Sequence, residues 1–277
     1  MNESRNVLEA PGATAGRAVG LVFRRQATAA LRDPGPHFVL PALPALLMTV
    51  VFTALFDRIG DAPGYDAGGL DRSHAGGYDA FLIPGVVMLV ALLGAGATSA
   101  SLAADLRSGY FERLRLLGAR PGTHLTGRLL FEAVRLLPGT AVVLGVGLVF
   151  GGDNRNGIVG LALVTMLVAM LGMAYSGVFY TVAIRTTDPQ TPFQLQPLGL
   201  PLAFLSTALV PLGVMPGWAE TIARWNPVSP VVDASRQALT GDPWAGELPG
   251  AVALLAGIIV ATHALASLTL RRRLAGS

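Results

Sequence analysis

Long apolar segments separated by short polar ones make up most of this chain. They occupy residues 38–56, 81–103, 129–150, 157–184, 193–214 and 248–270. An α-helix needs about 20 mostly apolar residues to cross the ~30 Å hydrocarbon core of a bilayer. The pattern therefore predicts an all-α polytopic membrane protein with six transmembrane helices, forming a single transmembrane domain over residues 1–277.

Two of these segments depart from a simple straight span. Segment 157–184 is longer than one crossing requires, which predicts either tilt or an extension on the cytoplasmic side. Segment 193–214 contains Pro197, Pro201 and Pro211, so a bent or broken helix is expected there.

Residues 17–32 are amphipathic rather than uniformly apolar. Val19, Val22 and Phe23 can share one side of a helix, and arginines lie at its edges. This pattern is typical of a helix that lies in the membrane interface. It is followed by a Pro-Gly-Pro break at 34–36, which is expected to turn the chain into the first span.

A polar, arginine-rich stretch at 105–121 separates the second and third apolar segments. Leu106, Tyr110, Leu114 and Leu117 fall at helical spacing, which predicts a short amphipathic helix with a basic face. Arginine concentrated beside membrane spans marks the cytoplasmic side. This stretch is therefore a candidate docking surface for a soluble partner.

Residues 215–240, between the fifth and sixth apolar segments, have the pattern of two short helices. Trp218 and Trp225 lie on one side of the first helix, and Asn226 and Pro227 break the pattern after it. Tryptophans are common anchors at the membrane boundary. We predict an external helical hairpin that dips back toward the bilayer, where protein must shield its backbone.

Composition excludes several classes of function. Hydrophobic residues make up 52% of the 277 residues and charged residues only 13%, whereas about a quarter of a soluble domain is charged. The chain has no cysteine, which excludes disulfides, thiolate metal sites and cysteine nucleophiles. The net charge of +3 comes from arginines clustered at span ends, a distribution that indicates orientation in a bilayer rather than nucleic-acid binding.

The distribution of arginine predicts that both termini are cytoplasmic. Six spans with this orientation place most arginines inside and only a few outside, as the positive-inside rule requires. The inside set is Arg5, Arg17, Arg24, Arg25, Arg32, Arg107, Arg113, Arg115, Arg120, Arg128, Arg185, Arg271, Arg272 and Arg273. The outside set is Arg58, Arg72, Arg155, Arg224 and Arg236.

Charged residues within the spans are functional candidates, because they are costly there. Glu132 and Arg135 lie three residues apart in the third span and can pair with each other, while the nearby cytoplasmic interface would let the arginine snorkel. The pair is either structural or part of gating or a dimer contact. His263, inside the sixth span, is more often a packed, hydrogen-bonded residue than a proton relay. The aspartates of 57–79 have no ligand spacing, which favours a solvated external loop over a metal site.

Several motifs resemble the permease subunits of the type-2 ABC exporter family, in its daunorubicin-resistance-like branch. The residues that carry this resemblance are Pro201 to Ser206, Val210-Pro211, Met215 to Trp218, Asn226 to Pro230 and Val232 to Arg236. The stretch from Asp105 to Arg128 is similar to the cytoplasmic loop of that family. The order of the spans is similar as well, so the resemblance covers nearly the whole chain.

The resemblance implies a half-transporter located in the bacterial cell membrane. Two copies of the permease, as a homodimer, would work with two copies of a separate ABC-type ATP-binding subunit. Residues 105–121 would be the coupling helix and residues 17–32 the connecting helix. The implied contacts with the ATPase are Asp105, Gly109, Glu112, Arg113, Arg115 and Pro121. Ser99, Phe204 and Ser206 would line a path for a drug, an antibiotic or a lipid-like compound.

The chain itself is not expected to bind a cofactor. It has no Gly-x-x-x-x-Gly-Lys-[Ser/Thr] motif and no lysine, so ATP and Mg²⁺ are expected on the partner subunit. The alternatives are an ion-coupled secondary transporter, a membrane enzyme and a structural membrane protein. A secondary transporter usually needs ionisable groups near the middle of the membrane, and only His263 is eligible. An enzyme would need paired carboxylates or a His–acid pair, and a structural protein would not explain the basic loop.

Overall fold

The computed structural model describes residues 15–56, 77–112, 121–150, 152–242 and 246–275, which are helical apart from turns and short connections. The helices are α1 Ala15–Arg32, α2 Leu40–Phe56, α3 Gly77–Leu92, α4 Ala95–Arg107, α5 Pro121–Arg135, α6 Leu137–Val149, α7 Gly157–Thr186, α8 Gln190–Leu195, α9 Gly199–Phe204, α10 Gly217–Trp225, α11 Val228–Thr240 and α12 Glu247–Ala275. A π-helical turn, Gly35–Val39, leads into α2. Most of the predicted external loop 57–79 lies outside the described residues.

Five helical stretches in the described residues are long and apolar enough to cross a membrane. They are Gly35–Ala54, Phe81–Arg107, Gly122–Val149, Gly157–Thr186 and Glu247–Ala275. They correspond to the predicted first, second, third, fourth and sixth spans. The second is formed by α3 and α4, and the third by α5 and α6. Helix α1 matches the predicted amphipathic helix 17–32 closely.

The expected break in the fifth apolar segment is confirmed, and this segment is not among the five helical stretches long enough to cross a membrane. Over residues 190–214 the structure has the short helices α8 and α9, 3₁₀ turns at Gln196–Leu198 and Leu212–Val214, and a non-helical run between them. Proline lacks a backbone N–H and its ring clashes with the preceding helical turn. The prolines at 197, 201 and 211 thus explain why an apolar segment of spanning length does not form one helix.

The broken fifth segment runs antiparallel to the second span. The side-chain amide of Gln196 donates to the Leu93 carbonyl near the start of the segment. Further along, Gly85 lies so close to Ala208 that a Cβ on it would overlap the Ala208 backbone. Residues 196–208 therefore follow the second span back toward its first residue, and the missing side chain of Gly85 permits the close approach.

Helices α7 and α12 lie parallel to each other. Gly177 packs directly against Thr262, and Arg273 Nη1 donates to the Ile184 carbonyl at 2.6 Å. At the other end of α7, the backbone N–H of Arg155 donates to the Leu239 carbonyl at 2.9 Å. The chain between α7 and α12 therefore returns from one end of the bundle to the other. We call the end with Arg107, Arg185 and Arg273 the basic end, and the end with α10 and α11 the hairpin end.

Two apolar cores lie along the bundle axis. The larger surrounds the almost entirely buried second span, and the smaller lies at the basic end among residues such as Leu102, Phe111, Leu125 and Tyr180. Helices of 28 to 30 residues are about 42–45 Å long, which exceeds a ~30 Å hydrocarbon layer.

Candidate coupling site and its buried ion network

Asp105 lies in the last turn of α4 and is held by two arginines from other helices. Arg25 of α1 donates to it twice, with Nη2 2.7 Å from Oδ1 and Nη1 3.1 Å from Oδ2. Arg128 of α5 forms an ion pair with the same carboxylate. We call Arg25, Asp105 and Arg128 the clamp. It joins α1, α4 and α5 at the basic end.

The clamp corrects the predicted limits of the coupling helix. The sequence pattern predicts Asp105 as the first residue of an amphipathic helix over 105–121, but Asp105 belongs to the second span, and its side chain is only 12% exposed. Helix α4 ends at Arg107, and Gly109 has φ +67°, a left-handed conformation that glycine adopts without strain. Its two arginine partners explain why the carboxylate is buried rather than presented to solvent.

The other predicted coupling residues lie around this helix end. Glu112 is exposed in the helical turn that follows Gly109. Pro121 is the first residue of α5. Arg113 and Arg115 lie outside the described residues. Contact of these residues with an ATPase stays a prediction.

Aromatic rings connect the residues after Gly109 to the clamp. The Arg25 guanidinium lies 4.2 Å from the centre of the Tyr110 ring, within the range of a cation–π contact. The His124 ring packs against Tyr110 and Phe111, with centroid distances of 5.5 and 4.7 Å. Burial alone would lower the pKa of Arg25, but its bonds to Asp105 raise it above the ordinary value. The arginine is therefore charged at every relevant pH.

The polar contacts continue from the clamp toward the middle of the bundle. Arg128 Nη1 donates to the Thr98 carbonyl at 3.0 Å, and the Thr98 hydroxyl donates to Glu132 Oε2 at 2.7 Å. Glu132 is in turn ion-paired with Arg135. We call Glu132 and Arg135 the inner ion pair. Thr98 therefore contacts both the clamp and the inner ion pair.

Arg135 also binds backbone carbonyls at two breaks in the spans. Nη2 donates to the Gly94 carbonyl at 2.8 Å, between α3 and α4, and Nη1 donates to the His37 carbonyl at 2.5 Å, in the π-helical turn. The predicted pairing of Glu132 with Arg135 is confirmed. Snorkelling is wrong, because Arg135 is 1% exposed and its donors are satisfied inside the protein. Both residues are buried within one protomer, so a direct dimer contact is not supported, and gating stays a prediction.

The two short helices predicted within 215–240 are α10 and α11, and an ion pair fixes α11 to the second span. Their re-entry into the membrane stays a prediction. Arg236 Nη1 lies 2.8 Å from Asp233 Oδ1, and its Nε donates to the Phe81 carbonyl at 3.0 Å. Its Nη2 donates to the Thr207 carbonyl at 2.5 Å, and the Thr207 hydroxyl donates to Asp233 at 2.9 Å. The pair thus connects α11, the broken fifth segment and the start of the second span.

Asn226 and Pro227 form the junction between α10 and α11. The Asn226 amide donates to the Leu202 and Leu205 carbonyls at 2.7 and 2.8 Å. These carbonyls lie at the end of α9 and would otherwise lack donors. Pro227 immediately precedes α11. Trp218 and Trp225 are 65% and 87% exposed, as expected for side chains that anchor at a membrane boundary.

The structure does not bring the three predicted substrate-path residues together. Ser99 is fully buried in α4, where its hydroxyl donates to the Ala95 carbonyl of its own helix. Ser206 is also fully buried, near the hairpin end, and donates to the Ala203 carbonyl. Of the three, only Phe204 exposes its side chain, at 43%. Their role in a substrate path stays a prediction.

His263 lies in α12 with its Nε2 3.2 Å from the Thr126 hydroxyl. The expected packed and hydrogen-bonded histidine is thus confirmed. In the part of the chain that the structure describes, no three His, Asp or Glu side chains are grouped as ligands for a metal ion.

The sequence patterns predict Arg25 and Arg128 only as cytoplasmic arginines and predict no role for Thr98 or His124, although all four lie in or next to the central network. His124, Arg128 and Glu132 recur every four residues on α5, which places them on one helix face. That spacing was an available signal. Thr98 carried no such signal, because a threonine in an apolar span is usually bonded to its own helix.

Comparison with known proteins identifies the family. The profile of the ABC-2 type transporter family matches residues 17–240. The daunorubicin resistance ABC transporter permease protein DrrB1 of Streptomyces coeruleorubidus is 26% identical over 236 residues, which cover 85% of this chain and 80% of the relative. The profile match, over residues 17–240, includes both the clamp and the helices α10 and α11.

Two other relatives match over shorter lengths. The probable doxorubicin resistance ABC transporter permease protein DrrC of Mycobacterium tuberculosis is 29% identical over 179 residues, or 65% of each chain. The putative transport permease ycf38 of Pyropia yezoensis is 29% identical over 175 residues, or 60% of this chain and 58% of the relative. With its long apolar helices and a profile match over most of its length, this chain is a multi-pass membrane protein that belongs to the ABC-2 type transporter family.

Proposed function

We propose that this chain is the membrane-spanning permease subunit of a bacterial ABC exporter. It moves a hydrophobic or amphipathic compound out of the cell, using ATP hydrolysed by a separate subunit. The family membership and the names of the drug-resistance relatives support this proposal. The observation that carries it is the clamp, which ties the residues after Gly109 to three helices of the bundle.

The ATPase contributes what this chain lacks. The sequence has no lysine and no phosphate-binding loop of the Gly-x-x-x-x-Gly-Lys type, so ATP and Mg²⁺ are bound by the partner. The working exporter contains two permeases and two ATP-binding subunits. Residues 105–121, which we call the coupling segment, form the contact surface, through Gly109, Glu112, Arg113, Arg115 and Pro121.

The chain crosses the bacterial cell membrane six times, with both termini in the cytoplasm. Five crossings are the long helices, and residues 190–214 make the remaining one as a broken segment. The parallel arrangement of α7 and α12 supports this, since the chain between them must return across the bundle. The arginines at the basic end place that end in the cytoplasm.

The hairpin end faces outward and its two helices re-enter the membrane surface. The burial of α11 against α7 and α12 supports re-entry, because a backbone at membrane depth must be shielded by protein. The exposed Trp218 and Trp225 of α10 anchor this end at the interface.

Transport follows from movement at the basic end. When the ATPases close around nucleotide, they push the coupling segment, and the clamp passes this displacement to α1 and α5. Packed helices change between discrete arrangements rather than deforming continuously, so the bundle switches access from one side to the other. The substrate moves along the apolar faces of the second and fifth segments, where Phe204 is exposed.

Co-expression with an ABC-type ATPase, sought first in the genes adjacent to this one, tests this proposal. We expect the two proteins to co-purify, and Glu112→Arg or Arg113→Glu to abolish ATP-driven accumulation of doxorubicin in inside-out vesicles, because these changes reverse charge in the coupling segment. Arg224→Glu is the matched control, since Arg224 is a 63% exposed arginine at the hairpin end. Full transport with the coupling variants, or failure of any ATPase to bind, would contradict the proposal.

A further inference from the structure

We infer that Thr98 is a positioning residue for transport: it joins the clamp to the inner ion pair, so that movement of the coupling segment reaches the breaks in the first three spans. This inference rests on the proposed function. It concerns how displacement at the basic end is passed into the membrane domain, and it assigns that role to a threonine hydroxyl.

Polar contacts are continuous from the coupling segment to the inner ion pair. Tyr110 packs against Arg25, which binds Asp105, and Asp105 binds Arg128. Arg128 then binds the Thr98 carbonyl at 3.0 Å. The first three of these contacts join three different pairs of elements, and the fourth joins α4 and α5 a second time, so a shift of the turn at Tyr110 is felt at α1, α4 and α5 together.

Two consecutive turns of α5 bind the same residue of α4, Thr98. Arg128 binds the Thr98 backbone carbonyl, and Glu132, one turn later, accepts from the Thr98 hydroxyl at 2.7 Å. Any sliding or rotation of α4 against α5 must therefore change the bond to Glu132. Glu132 is fully buried, so losing this donor leaves its Oε2 with only the longer bond from Arg135 Nε, at 3.3 Å, in a low-dielectric site.

Arg135 connects Glu132 to breaks in three spans. Its two terminal nitrogens bind the His37 carbonyl in the first span and the Gly94 carbonyl in the second. Directly after Arg135, Leu136 separates α5 from α6 in the third span. Broken helices leave carbonyls without intrahelical donors, and π-helical turns are frequent at functional sites. Reorientation of Arg135 therefore changes the support of these bends at one level of the bundle.

Three substitutions separate this role from simple packing. Thr98→Val removes the hydroxyl and retains the β-branched shape, whereas Thr98→Ser restores the hydroxyl. Thr181→Val is the matched control, because Thr181 is also buried but its hydroxyl donates to the Gly177 carbonyl of its own helix. Each variant is purified in complex with its ATPase and reconstituted, and doxorubicin transport is divided by ATP hydrolysed.

We expect Thr98→Val to lower the transport-to-ATP ratio by at least about fivefold, the lower limit of typical coupling between sites. Basal ATP hydrolysis should persist, and Thr98→Ser and Thr181→Val should match the wild type. A merely structural role would lower transport and hydrolysis together and leave their ratio unchanged.

A second readout follows the bend in the first span directly. The chain has no cysteine, so Leu40→Cys, at a 53% exposed position just after the π-helical turn, provides a single labelling site. We expect nucleotide to change the labelling rate in the otherwise wild-type complex and to have no effect when Thr98→Val is added. Arg135→Lys should abolish the response as well, because an ammonium cannot bind both carbonyls with the guanidinium geometry. This variant tests the inference if Thr98→Val does not assemble.

The outcomes distinguish the inference from the proposed function. If the wild-type complex shows no ATP-driven transport, the proposed function fails. If the wild type is coupled and Thr98→Val, or Arg135→Lys in its place, retains both the transport ratio and the labelling response, the inference alone is overturned.

Discussion

Removing the carboxylate at the centre of the clamp should destabilise the protein measurably. Asp105→Asn preserves the size of the side chain but removes the negative charge between Arg25 and Arg128. The two arginines differ in environment, since 44% of the Arg25 side chain is exposed and only 1% of the Arg128 side chain is. Arg128 cannot reach water without moving α5, whereas Arg25 can.

The expected size of the effect follows from this difference. Removing one partner of a buried ion pair costs about 3–5 kcal/mol, and an exposed pair contributes ~1 kcal/mol or less. The asparagine oxygen still accepts one hydrogen bond, which offsets about 1 kcal/mol of that loss. We therefore expect Asp105→Asn to lower the free energy of unfolding by about 2–4 kcal/mol. Arg25→Gln should lower it by ~1 kcal/mol or less.

Denaturant titration of the purified protein in detergent, followed by circular dichroism, measures both values. Raising the salt concentration from 0.1 to 1 M shortens the Debye length from about 10 to about 3 Å. The effect of Arg25→Gln should then shrink, while that of Asp105→Asn should largely remain. A larger loss of unfolding free energy for Arg25→Gln than for Asp105→Asn would refute this explanation of the clamp. It would also be refuted if the unfolding free energy of Asp105→Asn lay within about 0.5 kcal/mol of the wild type, as it does for ordinary surface substitutions.

Three further substitutions test the fold. Gly85→Val should lower the free energy of unfolding by about 3 kcal/mol, because the new side chain would overlap the Ala208 backbone. Gly145→Val is the control and should be tolerated, because nothing lies within 4 Å of its Cβ position. Equal unfolding midpoints for the two variants would contradict the close approach of Gly85 to Ala208. Asn226→Ala should cost about 2 kcal/mol in the same titration, because two carbonyls lose their donor, and an unchanged midpoint would exclude that role. Gly109→Ala should cost about 1–2 kcal/mol from its left-handed conformation, and a neutral result would count against that geometry.

Local patterns in the sequence were sufficient to predict most helices and one ion pair. The long apolar runs predicted five of the spans because about 20 consecutive apolar residues are enough for a helix to cross a bilayer. Glu132 and Arg135 were predicted as a pair because three residues on one helix is a local distance. The fifth segment could not be predicted in detail, since its hydropathy is that of a span while its prolines remove the helix.

The partners of Asp105 and Arg135 depended on packing between distant elements. Asp105 is 80 residues from Arg25 in the sequence, and they meet only because α1 lies along α5. The carbonyls that Arg135 binds are exposed by breaks in the first two spans, and such breaks leave little trace in a hydropathy pattern. Burial of a charge by several remote helices was therefore beyond what spacing along the chain could reveal.

The energy source of transport tests the central claim most directly. The permease, with and without its ATPase, is reconstituted into liposomes, and doxorubicin movement is followed with ATP or with a proton or sodium gradient as the only driving force. The account predicts movement only when both ATP and the ATPase are present. Movement by the permease alone, driven by an ion gradient, would contradict it.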